Sequence, residues 1–302
     1  MNTTKKIKGV IPPVLTIFKD DESIDEKGTR DHVRFILDNG CQGVAVGGST
    51  GEFIAMRIEE RKRLAEIVVD EVGDRGAVFV GTGHYSTKIT IELCQHAQKI
   101  GADGAMVILP YYMNPPKDDA MNHFRSIARN IDIPIMIYNN PWFAGYELTS
   151  WEVKQLVDED VVHYIKAAHG DIDRVHNLKY LCGDKLTVFY GHDFNAAEAL
   201  LCGADGWVSG IPNVLPRLSR DLYDAGVEEK NVDKTMQIWN KMLPLIHFTQ
   251  YNKTPGGRPH WLPIMKEALN IMGRKVGKPR LPLTPLNNEE CEKLKEILKK
   301  IQ

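Results

Sequence analysis

Gly101-Ala102-Asp103-Gly104-Ala105-Met106-Val107-Ile108-Leu109 decides the fold, because it joins the end of a helical pattern to an uninterrupted apolar run. Its first glycine suits the left-handed residue that ends a helix, and its second lets a strand begin close against a neighbour. The same junction recurs as Gly40-Cys41-Gln42-Gly43 and as Gly203-Ala204-Asp205-Gly206, each time after a helical segment and before a strand-like run. Repetition of one helix-to-strand turn points to a repeated unit.

Working outward, further apolar runs rich in β-branched residues occur at Gly9-Val10-Ile11 with Val14-Leu15, Val44 to Val46, Ala77 to Val80, Ile133 to Tyr138, Val161 to Ile165, Leu186 to Tyr190 and Trp207-Val208. Counted with Ala105 to Leu109 they make eight. Between them lie helical spacings such as Met121, Phe124, Ile127, Ala128 and Ile131, which recur at three and four residues and share one face. Nearly continuous apolar strands alternating with amphipathic helices indicate a parallel sheet covered by helices. An open doubly wound sheet is the competing architecture. It lacks its usual mark here, since no G-x-G-x-x-G follows the first strand and Gly47-Gly48-Ser49-Thr50-Gly51 has the wrong glycine spacing.

The fold expected is therefore α/β, a (β/α)8 TIM barrel over residues 1–224 with a helical extension over 225–302. In the extension Asn231 to Leu245, Pro263 to Met272 and Asn288 to Ile301 read as helices, with Thr254-Pro255-Gly256-Gly257-Arg258-Pro259 joining the first two. They would pack on the barrel or on another subunit.

Composition narrows the function classes. The chain has 302 residues, 43% hydrophobic and 26% charged, with 38 Lys+Arg against 40 Asp+Glu. A formal net charge of -2 gives no electrostatic reason to expect nucleic acid or an anionic membrane as partner. No stretch approaches the roughly 20 consecutive apolar residues of a membrane span, and Met1 to Lys8 is polar and basic with no apolar run behind it. A cytoplasmic protein acting on a small molecule is expected. The five cysteines (Cys41, Cys94, Cys182, Cys202, Cys291) are odd in number and contain no Cys-x-x-Cys pair, so they read as reduced thiols in or near the core.

In such a barrel the chemistry belongs at the carboxyl ends of the strands. Lys166 ends the apolar run Val161-Val162-His163-Tyr164-Ile165. It is either a lysine leaving toward solvent or an amine in a partly desolvated mouth, where loss of water favours the neutral form that attacks carbonyls. Tyr138 ends the preceding strand, and strand ends lie about 4.8 Å apart, so its phenol can exchange protons with a group formed on Lys166. Alone, Tyr138 reads equally well as a cap on the barrel core. Gly47-Gly48-Ser49-Thr50-Gly51-Glu52 brings glycines, two hydroxyls and a following helix to the second strand end, a combination that suits a small carboxylate or phosphate, or simply a tight turn. His163, His169 and His176 show no metal-ligand spacing and read as surface or loop residues; no metal site is expected. His192, in Gly191-His192-Asp193, falls at the predicted mouth, and Glu59-Glu60-Arg61-Lys62-Arg63 reads as a solvated helix face.

At these residues the sequence resembles the dihydrodipicolinate synthase and N-acetylneuraminate lyase family, Schiff-base-forming pyruvate aldolases on (β/α)8 barrels. The resemblance rests on Gly47-Gly48-Ser49-Thr50-Gly51-Glu52, Pro110-Tyr111-Tyr112, Ile137-Tyr138-Asn139-x-Pro141 and Ile165-Lys166, in order and at the expected strand ends. It implies that Lys166 forms an imine with a 2-keto acid, so that no separate cofactor is needed. It further implies that Tyr138 shuttles protons, that Ser49 and Thr50 with the Gly48 turn hold the keto-acid carboxylate, and that Thr50 links Tyr138 to Tyr112 in a relay. Tyr112 would reach into a neighbouring subunit's site, making a homodimer or homotetramer, and backbone around Val208 and Ser209 would close over the pyruvyl group.

One position departs from the synthase pattern. Where those enzymes carry an arginine for the carboxylate of aspartate semialdehyde, this chain has Phe143 within Trp142-Phe143-Ala144-Gly145. A phenyl ring cannot replace a bidentate guanidinium. The expectation is a class I pyruvate-dependent lyase or aldolase with small-molecule partners, a 2-keto acid such as a 2-keto-3-deoxy sugar acid and an uncharged aldehyde set against Trp142 and Phe143. The alternatives are a 4-hydroxy-tetrahydrodipicolinate synthase with a relocated carboxylate anchor, a 2-keto acid dehydratase, and a non-catalytic keto-acid-binding homologue.

Overall fold

A computed structural model describes residues 6–251 and 261–301. The stretch Thr254 to Pro259 lies outside them. Eight parallel strands follow one another around a barrel: β1 (Gly9–Val10), β2 (Gly43–Val46), β3 (Ala77–Gly81), β4 (Gly104–Ile108), β5 (Ile135–Asn139), β6 (Tyr164–Ala167), β7 (Thr187–Tyr190) and β8 (Gly206–Trp207). β8 pairs back onto β1, and the seam between β1 and β2 is closed by Ala45 N donating to Pro12 O at 2.9 Å and Val14 N donating to Ala45 O at 2.8 Å. The barrel expected from the junctions is present, and the open sheet is excluded.

The junctions show why the unit repeats. Gly40, Gly101 and Gly203 have φ of +90°, +85° and +100°, left-handed geometry that a side chain would strain. Each N–H folds back onto the helix it ends, donating to Leu37 O, Gln98 O and Leu200 O. The third residue then grips the neighbouring strand twice. Asp103 N donates to Val78 O at 3.0 Å while its carboxylate accepts from Val78 N at 2.7 Å, and Asp205 does the same with Val188. Gln42 makes the corresponding pair with Val10. The closing glycine admits the next strand: a Cβ on Gly43 would lie 2.3 Å from Ala77 O.

Outside the strands run α1 (Glu26–Asp38), α2 (Ile58–Val72), α3 (Thr87–Lys99), α4 (Lys117–Ala128), the single turn α5 (Pro141–Ala144), α6 (Ser150–Asp158), α7 (Asp173–Cys182), α8 (Ala196–Leu201) and α9 (Pro216–Tyr223). α4 buries Met121, Phe124 and Ile127 as its spacing predicts, about 1.5–3 kcal/mol for each side chain. It stops at Ala128, and Ile131 falls beyond the turn that follows. The barrel interior is a separate cluster in which Phe79, Tyr164 and Phe189 meet, the Phe79–Tyr164 ring centroids 5.2 Å apart. Side chains alternate along each strand, so Tyr164 and Lys166 share the inner face while Ile165 and Ala167 pack outward. β6 begins later than its apolar run suggests: Val161 and Val162 belong to the turn after α6, and Lys166 lies within the strand.

After α9 the chain forms α10 (Val232–Tyr251), α11 (Trp261–Ile271) and α12 (Asn288–Ile301). α10 runs six residues past the expected Leu245 in spite of Pro244, because its buried face continues through Ile246 and Phe248. Among the described residues no helix is long and apolar enough to cross a membrane. The five cysteines are free thiols.

Candidate active site

β5 and β6 place Tyr138 and Lys166 side by side, their Cα atoms partners in the ladder, both on the inner face at the carboxyl end. Both side chains are about 95% buried, and Lys166 Nζ lies 4.1 Å from the centroid of the Tyr138 ring. Gly191 on the next strand end makes room for the stem of the lysine, since a Cβ there would meet Lys166 Cγ at 2.6 Å. The lysine therefore turns into the barrel mouth.

These two residues line a cavity of about 580 Å³ together with Ser49, Thr50, Ser209 and His192. Five strand ends thus contribute to one space, as the motif positions require. Phe143 and Trp142 line it as well, 51% and 74% exposed. Other residues of the expected set stand elsewhere. Val208 is fully buried in the barrel interior, its N–H donating to Tyr190 O at 2.9 Å. Gly48 is buried under Met106, whose Cε would be 3.2 Å from a Cβ at that position. Tyr112, 88% exposed with φ of +79°, lies outside the cavity of its own chain.

The hydroxyl-bearing turn is built differently from expectation. Ser49–Gly51 is itself a short 3-10 turn and a second one, Phe53–Ala55, separates it from α2, so no long helix points its amino end at Ser49 and Thr50. Instead the turn is pinned by side chains. Thr16 Oγ1 donates to Gly51 O at 2.7 Å, and Glu52, left-handed and buried, pairs with Lys266 of α11 at 2.6 Å. Glu52 also accepts from Arg280 N at 2.8 Å.

Around Tyr138 the polar contacts run through its own strand end. The phenol oxygen accepts from Asn140 Nδ2 at 2.8 Å. No hydrogen bond joins Thr50 to Tyr138 among the described residues, so the relay through Thr50 is not formed in the single chain. Asn139 is occupied structurally, exchanging two hydrogen bonds with the backbone of Leu148.

The far side of the cavity carries two histidines. His192 stacks on Phe194 and accepts at Nδ1 from Phe194 N at 3.1 Å; burial lowers its pKa, opposed by Asp193 and aided by the charge of Lys166. Asp193 in turn accepts from Ser209 Oγ. His169 lies in the loop after β6, as expected, but faces the cavity and not the surface. It lines the cavity, its ring is buried, and Nε2 lies 2.5 Å from Glu147, which also holds Arg174 at 2.9 Å. Burial and the charge of Arg174 push its pKa down, opposed by Glu147.

Arg61 corrects another expectation. Within the charged run it turns inward, 6% exposed, and donates to Gly81 O at 2.9 Å and Gly83 O at 3.1 Å, tying α2 to the end of β3. Among the described residues no arginine lines the cavity.

A barrel with an inward amine, a phenol over it and hydroxyls opposite defines a small-molecule enzyme of the aldolase and lyase kind. The family profile of the dihydrodipicolinate synthetase family matches residues 6–301, and the chain belongs to that family. A curated relative from Methanothrix thermoacetophila, 4-hydroxy-tetrahydrodipicolinate synthase, is 36% identical over 97% of each chain. Dihydrodipicolinate synthase from Aquifex aeolicus superposes with a TM-score of 0.90 at 30% identity, covering 97% of this chain and 98% of that one. YagE, a prophage protein of the dihydrodipicolinic acid synthase family from E. coli K12 solved in complex with pyruvate, superposes with a TM-score of 0.90 at 32% identity, again over 97% and 98%.

Proposed function

We propose that the protein is a Schiff-base aldolase that takes pyruvate, or the pyruvyl end of a larger 2-keto acid, on Lys166. The observation that carries this reading is the buried amine of Lys166 lying 4.1 Å from the Tyr138 ring in a cavity rimmed by Ser49 and Thr50. Neutral Nζ adds to the ketone carbon, and one of its protons reaches the oxygen to give the carbinolamine. The carbon–oxygen bond then breaks with Tyr138 supplying the proton that makes the leaving group water, which leaves the protonated imine and the phenolate. The phenolate takes a proton from the adjacent carbon to give the enamine, the nucleophile that adds to an aldehyde. Read backwards, the same steps cleave an aldol. No further cofactor is required by this scheme, because the protonated imine is itself the electron sink.

Borohydride reduction in the presence of pyruvate tests it. A reduced pyruvyl adduct on Lys166, absent in Lys166→Ala, is expected by mass spectrometry, and an unmodified Lys166 under saturating pyruvate refutes the reading.

For the second substrate, the curated relatives' name favours condensation with aspartate semialdehyde over the sugar-acid cleavage expected from the sequence. The sugar-acid reading retains one specific observation, the aromatic Phe143 and Trp142 at the mouth with no arginine lining it among the described residues. Comparing kcat/KM for pyruvate plus aspartate semialdehyde with pyruvate plus glyceraldehyde separates them. A preference for the semialdehyde selects the synthase, and one for glyceraldehyde selects the sugar-acid enzyme. The exposed Tyr112 fits a homodimer or homotetramer in which it serves a second copy's cavity, and the small polar substrates fit a cytoplasmic enzyme.

A further inference from the structure

Asn140 has no role in the aldolase scheme, yet it is buried, lines the cavity and holds the hydroxyl on which that scheme depends. Its amide is fixed from both ends. Oδ1 accepts from Trp142 N at 2.9 Å and from Phe143 N at 3.2 Å, as the cap of α5. Two backbone N–H groups can face only the oxygen of an amide, so the nitrogen must face the other way. That nitrogen donates to the Tyr138 oxygen at 2.8 Å.

A phenol whose oxygen accepts a hydrogen bond keeps its own proton for a different partner. Tyr138 is 5% exposed and its open side is the cavity that holds Lys166. We infer that Asn140 is a positioning residue which fixes the direction of the Tyr138 hydroxyl, holding its proton toward the substrate carbon and oxygen borne on Lys166. Its orientation is set in turn by the turn that carries Trp142 and Phe143, so the residues lining the mouth and the proton donor share one amide. No group other than Tyr138 moves a proton in this step: the phenol gives its proton to the departing hydroxyl and regains one from the carbon next to the imine.

The inference rests on the imine reading, and the test separates the two. Exchange of the pyruvate methyl protons with deuterated water, followed by proton NMR, runs through the imine on Lys166, is accelerated by Tyr138 but continues slowly without it, and needs no aldehyde. Asn140→Ser keeps a capping oxygen for α5 but is too short to reach the phenol with a donor; Asn140→Val removes both. Each is expected to slow exchange at saturating pyruvate by about 10-fold, the worth of one buried hydrogen bond, with KM for pyruvate within about twofold of the parent. In a Tyr138→Phe background, where no hydroxyl remains to be aimed, neither substitution should slow exchange further. A further 10-fold loss in that background, or unchanged exchange in Asn140→Ser with Tyr138 intact, overturns the inference while leaving the pyruvyl adduct on Lys166 in place. Absence of that adduct from the unaltered protein overturns both.

Discussion

Replacing Lys266 with methionine tests whether α11 holds the hydroxyl-bearing turn in shape. Lys266 and Glu52 are 1% and 3% exposed, their charged atoms are 2.6 Å apart, and Nζ also donates to Lys278 O at 3.0 Å above the Phe18 ring. Burial draws the lysine pKa below its ordinary range, with Glu52 opposing the shift. Methionine fills a similar volume but leaves a buried carboxylate whose remaining contact is the Arg280 N–H. Breaking one half of a buried pair costs about 3–5 kcal/mol, whereas replacing both halves by neutral groups is often close to neutral. Lys266→Met alone should therefore lose about 3–5 kcal/mol in urea unfolding followed by circular dichroism at pH 7. Adding Glu52→Gln, which keeps an oxygen for Arg280 N, should restore more than half of that loss. Because Glu52 closes the Ser49–Thr50 turn, KM for pyruvate should rise in the single variant and fall back in the double. A single-variant loss below about 1 kcal/mol, or a double variant as unstable as the two single losses added together, would show that the pair is not coupled and refute the reasoning.

Three further outcomes follow from a buried ring, the junction glycines and the cavity mouth. His32 is fully buried against Asn213 Oδ1 at 2.9 Å, and burial lowers its pKa to about 4. Between the unfolded value of about 6.5 and about pH 4 the unfolded chain takes up a proton that the native ring refuses, so acidification removes about 3 kcal/mol and no more from this group below that window; His32→Gln should flatten this stretch of the pH dependence of urea unfolding, and parallel curves would count against it. Gly43→Ala should cost about 3 kcal/mol, because its Cβ would lie 2.3 Å from Ala77 O and must push β2 and β3 apart; Gly101→Ala, with open space but φ of +85°, should cost about 1–2 kcal/mol, and the reverse order would show that the junction is held otherwise. Phe143→Arg should raise kcat/KM for aspartate semialdehyde relative to glyceraldehyde by about 10-fold, the worth of a charge-assisted hydrogen bond; an unchanged ratio would place the aldehyde away from residue 143.

The barrel was legible because its determinants are local and repeated. Gly40, Gly101 and Gly203 each end a helix, and the residue two places on binds the adjacent strand. Such turns leave the same mark wherever they occur. The placement of Lys166 beside Tyr138 was legible for a related reason, since both end apolar runs and the period of a strand puts alternate residues on one face. Strand edges were less so: β6 starts at Tyr164, three residues into its apolar run, because Val161 and Val162 are buried by the turn that follows α6.

What stayed hidden are the pairings between distant segments. Arg61 sits in a run of charges in which Glu59 and Arg63 are exposed, and only the approach of Gly81 and Gly83 shows that its guanidinium caps the end of β3. Glu52 reads as the last letter of a turn motif, while its partner Lys266 lies in an amphipathic helix more than 200 residues on and looks there like any surface lysine. His169 has no motif around it and gains its place from Glu147 on a different loop. In each case burial selects the partner: a charged or polar group that the backbone carries inside must find an opposite number there, at a cost of several kcal/mol if it fails. Composition at a single position cannot encode that obligation, because the same residue in water has none. Asn140 marks the boundary between the two kinds of signal. Its cap on α5 is local, a side chain two and three residues before the N–H groups it serves. Its grip on the Tyr138 hydroxyl follows only once that cap has turned the amide nitrogen back toward the strand, so the residue that holds the phenol is itself placed by a helix end at the cavity mouth.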